Sequence, residues 1–142
     1  MAWRQTPLRR LGNRLITPLA RYGLAGKRTY ILTVLGRKSG RRRSTPVQLV
    51  IANEQRWLVS PYGEREWVKN ARASGEVELT RRRTTRHGIE EVGFQEAAPI
   101  LREYLRTTAI VKPYFEVDAD APLEAFAVEA ERHPVFKLVA RL

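Results

Sequence analysis

From Thr6 to Tyr22 apolar residues recur every three or four positions, so that Leu8, Leu11, Leu15 and Leu19 share one helical face. Arg9, Arg10, Asn13, Arg14 and Arg21 fall largely elsewhere. The pattern predicts an amphipathic amino-terminal helix within residues 1–26, kinked or ended by Pro18 and followed by a loop at Gly23 and Gly26. The period then drops to two. Strands are expected at Arg28–Leu35, Ser44–Ala52, Arg56–Ser60, Glu76–Arg82 and Thr84–Phe94, with Val135–Val139 as a sixth candidate. Within Ser44–Ala52 the alternation puts Val47, Leu49 and Ile51 on one face. Helical spacing returns at Glu64–Ala73, ended by Gly75, at Pro99–Thr107, and at Pro122–Arg132, with Asp120 as its expected cap and Pro134 as its stop. Short strands joined mostly by turns make residues 27–142 an α+β unit: a small antiparallel β-barrel, closed or nearly so, with flanking helices.

A chain of 142 residues is long enough to bury a core without metals or cross-links. It has no Cys, which excludes thiol catalysis, disulfides and thiolate metal sites, and its two histidines, His87 and His133, give little basis for a zinc or triad site. No metal is expected. No apolar run approaches the roughly 18–20 residues that a membrane span needs, and no secretory signal is read, so the expected location is the cytoplasm.

Charge changes the picture more than composition does. All 15 acidic residues lie at Glu54 or beyond, whereas 12 of the 26 basic residues lie at or before Arg43. The first 53 residues therefore carry +12, and the remainder, 14 basic against 15 acidic, carries −1. A one-sided basic region attracts phosphates, carboxylates, nucleic acid or anionic lipid, and composition does not choose among them.

Gly36-Arg37-Lys38-Ser39-Gly40-Arg41-Arg42-Arg43 lies between two predicted strands. Its glycines let backbone N–H groups approach a ligand, Ser39 adds a hydroxyl, and Arg37, Lys38 and Arg43 offer charge-assisted hydrogen bonds suited to phosphate oxygens. A solvated basic β-turn is the plain alternative. The order of a Walker loop is absent.

Gly36-Arg37-Lys38-Ser39-Gly40 with Arg43, Thr45 and Pro46 resembles the first signature of the deazaflavin-dependent nitroreductase family. Arg56-Trp57-Leu58-Val59-Ser60 is similar to its next strand, and Trp67 and Asn70 match a tryptophan–asparagine pair on a short helix. Lys112-Pro113-Tyr114-Phe115 and Pro122-Leu123-Glu124-Ala125-Phe126 resemble one actinobacterial branch. The resemblance implies a flavin-reductase-like split β-barrel that holds coenzyme F-420, an 8-hydroxy-5-deazaflavin with a phosphate and a polyglutamate tail. It implies that Arg37, Lys38, Ser39 and Arg43, within a signature that includes Gly40, Thr45 and Pro46, grip the phosphate, with Arg41 or Arg42 nearer the tail. Ser60 and the backbone of Pro61, Tyr62 and Gly63 are then expected to face the ring, and Trp67 and Asn70 to close the pocket. Many relatives carry a lysine and a second glycine after the serine matching Ser60. Here the shorter Pro61-Tyr62-Gly63-Glu64 stands instead, with Tyr62 expected in the lysine's place.

The implied reaction is hydride transfer from the reduced coenzyme to a small organic acceptor such as a quinone, a nitroaromatic or another conjugated carbonyl compound. Tyr62, Tyr104 and Tyr114 are the candidate proton donors, and solvent is a further source. FMN in the same barrel is the related alternative. A nucleic-acid-binding module, resting on Arg81, Arg82, Arg83 and Arg86, and a non-catalytic carrier are the readings from other classes. The amino-terminal helix, with Trp3 and its basic flanks, either packs on the barrel or lies on an anionic membrane surface, and a monomer and a homodimer are both open.

Overall fold

The computed structural model describes residues 28–140; the expected helix at 1–26 lies outside them. Seven strands form one antiparallel sheet: β1 (Thr29–Leu35), β2 (Arg42–Gln48), β3 (Val50–Ala52), β4 (Gln55–Val59), β5 (Glu76–Thr80), β6 (Thr84–Glu91) and β7 (Val135–Val139). Their spatial order is β2-β1-β5-β6-β7-β4-β3. The edge strands β2 and β3 are consecutive in the chain and separated by Leu49 alone, so the sheet must curl until its two edges meet at that residue. The result is the expected α+β split barrel.

Leu49 also explains where the alternation reading fails. Its N–H donates to the Arg28 carbonyl at 2.9 Å, one step beyond the Thr29–Gln48 pair, so it ends the β1 ladder just before the chain passes to the opposite edge of the sheet. Leu49 and Val50 are both buried, on opposite sides of the barrel wall, while Ile51 is 53% exposed. A single strand from Ser44 to Ala52 is therefore two strands that serve different parts of the sheet.

The wall separates two cores, as period-two burial requires. Leu32, Val34, Leu58, Val77, Leu79, Phe136 and Leu138 fill the barrel interior. Helix α1 (Glu66–Ser74) closes it with Val68 and Ala71, and ends at Gly75, whose φ of 76° makes a left-handed cap. Trp57, Val59 and Val135 point the other way, into a core shared with α2 (Phe94–Thr107) and α3 (Leu123–Glu129).

Helix α2 begins at Phe94, five residues before the expected start at Pro99, because Gln95–Ala98 are good helix formers and Pro99 is accommodated within the helix. Pro122, not Asp120, occupies the cap position of α3. A 3-10 turn at Ala109–Tyr114, which the sequence did not announce, links α2 to the segment before α3. No described helix is long and apolar enough to cross a membrane.

Candidate functional site

The β1–β2 connection is a closed turn. Gly36 N–H donates to the Arg41 carbonyl at 2.7 Å, Gly40 N–H to the Gly36 carbonyl at 2.8 Å, and Arg41 N–H to Ser39 Oγ at 3.2 Å. Gly40 has φ 70°, which only glycine adopts cheaply, and a Cβ on Gly36 would sit 2.7 Å from Ser39 Oγ. The backbone of the turn thus calls for glycine at position 40, and at position 36 glycine leaves room for the Ser39 hydroxyl.

Helix α1 pins this turn from below. Asn70, 6% exposed, accepts the Arg37 backbone N–H at 3.0 Å and Arg37 Nη1 at 2.8 Å on one oxygen, Oδ1. Arg37 Nη1 also donates to Glu66 Oε2 at 2.8 Å, and the guanidinium holds that carboxyl below its usual range. Lys69 and Lys38 add to the same field at Glu66. The sequence reading does not single out Glu66 or Lys69. A signal exists all the same: Glu66 and Asn70, four apart, share a helix face.

Lys38, Ser39, Gly40 and Arg41 are exposed and Arg43 is half-buried. Among the described residues Lys38, Arg41 and Arg43 form no ion pair, so the turn presents cations not bound to a carboxylate. Arg42 does not join them. It is bound to Glu78 across the sheet, and Arg86 flanks the same carboxylate at 3.4 Å, in an open groove that also includes Thr33, Glu76 and Ser74. Thr45 and Pro46 lie half-buried on β2, paired in register with Leu32 and Ile31. Exposed lysine and arginine side chains around a pinned glycine turn match the chemistry of a phosphate.

At the other end of the candidate site, Ser60 is fully buried. Its hydroxyl donates to the Gly63 carbonyl and its N–H to the Pro134 carbonyl at 3.0 Å, so both shape the 60–63 turn. Tyr62, 48% exposed, meets Tyr114 edge-on with ring centroids 4.6 Å apart, and Arg65 stacks over Tyr62 at 5.5 Å. Tyr104 is buried; burial foremost, and then the neighbouring Tyr62 hydroxyl, push its own hydroxyl well above the usual tyrosine value. The fold thus gathers the three candidate tyrosines from a turn, a helix and a 3-10 turn. Trp67 is half-buried and packs on Phe136, 5.9 Å between centroids, against the barrel interior. Residues Tyr62 to Glu66 run directly from the tyrosines to the Arg37 clamp.

A family model described as F-420H(2)-dependent quinone reductase matches residues 9–121. Among solved structures, a domain-swapped dimer is 15% identical with a TM-score of 0.57, covering 94% of this chain and 99% of its own. An F-420-H(2)-dependent reductase (FDR-A) is 19% identical with a TM-score of 0.54, covering 79% of this chain and 94% of its own. The heme storage protein HutZ of Vibrio cholerae is 9% identical with a TM-score of 0.54, covering 93% and 89%. At these identities the likeness speaks for the fold alone, and the same barrel serves different cofactors. No curated protein matches the chain.

Proposed function

Since this chain belongs to the F-420H(2)-dependent quinone reductase family, we propose that it is an oxidoreductase moving a hydride from reduced coenzyme F-420 to a quinone or a nitroaromatic. The observation that carries this reading is the Gly36–Arg41 turn, tied to α1 and presenting Lys38 and Arg41, which among the described residues form no ion pair. In this reading Arg37, Lys38, Ser39, Gly40 and Arg43 hold the phosphate and Arg41 meets the acidic tail. Thr45 and Pro46 support the turn from β2. Ser60 shapes Pro61, Tyr62 and Gly63 into the edge that faces the ring, and Trp67 walls the pocket.

When bound, the reduced deazaflavin supplies the hydride. The chain's task is to fix ring and acceptor at about 3–3.5 Å and to exclude water. Tyr62 and Tyr114, at the surface and in contact, are the proposed sources of a proton for the reduced acceptor. Tyr104, which holds its proton more tightly, is the buried support beneath them. The neighbour that is a domain-swapped dimer supports a homodimer over a monomer.

Of the four arginines on which the nucleic-acid alternative rests, two are engaged within the protein. Arg81 donates to the Thr29 carbonyl and lies over Tyr30, and Arg86 faces Glu78 and Glu76, which leaves Arg82 and Arg83 at the tip.

Titration with oxidised F-420 should change the coenzyme's fluorescence, and the double variant Arg37→Ala, Lys38→Ala should bind at least tenfold more weakly. Loss of charge-assisted bonds worth about 1.5–3 kcal/mol each implies at least that factor. Unchanged fluorescence through a full titration would falsify the assignment, and protein that copurifies with FMN would redirect it. Binding without oxidation of the reduced coenzyme by any of a quinone panel would mean a carrier.

A further inference from the structure

Arg37 does not merely lie near the proposed phosphate position; one end of its guanidinium is spent. Nη1 carries two hydrogens, and both are taken, one by Asn70 Oδ1 and one by Glu66 Oε2, each at 2.8 Å. Among the described residues Nε and Nη2 make no hydrogen bond. A guanidinium can receive two phosphate or carboxylate oxygens along its Nη1–Nη2 edge or along its Nε–Nη2 edge. Anchoring Nη1 closes the first edge and leaves the second.

Asn70 is suited to this anchoring in a way few residues are. Both groups that it meets on Arg37, the backbone N–H and Nη1, can only donate, so a carbonyl oxygen is required. That oxygen is held on the buried side of α1, between the fully buried Val68 and Ala71, and so it has little freedom. A neutral acceptor also fixes the cation without cancelling its charge, whereas the other acceptor, Glu66, is exposed to solvent that screens its charge. Asn70's oxygen is therefore fully engaged inside the protein.

We propose that Asn70 is a positioning residue that acts through Arg37, holding Nη1 so that the Nε–Nη2 edge receives the coenzyme's phosphate. This rests on the function proposed above. The test is a double-mutant cycle on coenzyme affinity. Asn70→Ala should weaken binding of F-420 at least fivefold in the otherwise unaltered protein, but less than twofold in an Arg37→Ala background. The same substitution should leave affinity for the phosphate-free deazaflavin, the ring with only its ribityl chain, within twofold. That split is one a general loosening of the fold would not produce.

If Asn70→Ala costs the same factor with and without the Arg37 side chain, Asn70 acts through the turn's backbone N–H or elsewhere, not through Nη1, and the inference is wrong. Full affinity in Asn70→Ala beside a weakened Arg37→Ala overturns it equally. If Arg37→Ala itself changes nothing, or the protein binds no F-420, the functional reading has failed and the inference falls with it. Should the alanine variant not fold, Asn70→Ser, which keeps a polar group but stops short of the turn, goes through the same cycle and is read by the same thresholds.

Discussion

His133 stacks on Phe115 with centroids 4.1 Å apart and rings nearly parallel, 2% exposed, with the Ser60 and Pro61 backbone beside its ring nitrogens. Its nearest carboxylate is Glu129, 3.9 Å away and itself buried, committed to the Glu116 N–H and to Arg132. Burial pushes the imidazole below its ordinary value of 6.5, against the pull of Glu129. The unfolded chain therefore takes up this proton first as pH falls. Stability is unaffected above about pH 6.5 and declines below it until the folded value is reached, where the loss levels off. Urea midpoints at pH 7.5 and 5.5 should fall further in the native protein than in His133→Gln. Equal falls would show that His133 is not the acid-sensitive group. From the sequence, His133 beside Pro134 reads as an ordinary helix end. Its burial follows from packing against Phe115, 18 positions earlier, which no local pattern encodes.

Among the elements, α1 carries more than its nine residues suggest. It seals the barrel with Val68 and Ala71, pins the β1–β2 turn through Asn70, and is braced by Arg72, which bonds Glu91 on β6 and Glu64 ahead of the helix. Its end depends on Gly75, whose left-handed φ leaves open space where a Cβ would sit. Gly75→Ala should therefore destabilise by about 1 kcal/mol through backbone conformation alone. Chemical denaturation measures this; a loss near zero would mean the helix end relaxes. The existence of α1 and its glycine stop are legible as helical spacing followed by Gly75. The division of Ser44–Ala52 at Leu49 is not, since alternation continues in the letters while the chain passes from one edge of the sheet to the other.

The molecule as a whole sets a +12 region against a nearly neutral remainder, and the turn with its unpaired lysine and arginines belongs to the first. Attraction of a ligand carrying a phosphate and an acidic tail should then be strongly screened. Raising salt from about 50 to 500 mM shortens the Debye length to roughly 4 Å and should weaken F-420 binding several-fold, with much less effect on the phosphate-free deazaflavin. Equal weakening of both ligands would place the main contacts on the ring rather than on the charged end.

The antiparallel α+β class, the glycine turn and its cationic character are all readable from the order of residues, because period, turn residues and charge are local properties. Which of those cations remain available is a matter of the folded chain. Arg42 is neutralised by Glu78, 36 positions away, and Arg37 is turned by Asn70, 33 positions away. Such pairings arise when a curled sheet and a packed helix bring distant side chains within hydrogen-bond reach, and spacing along the chain holds no record of them.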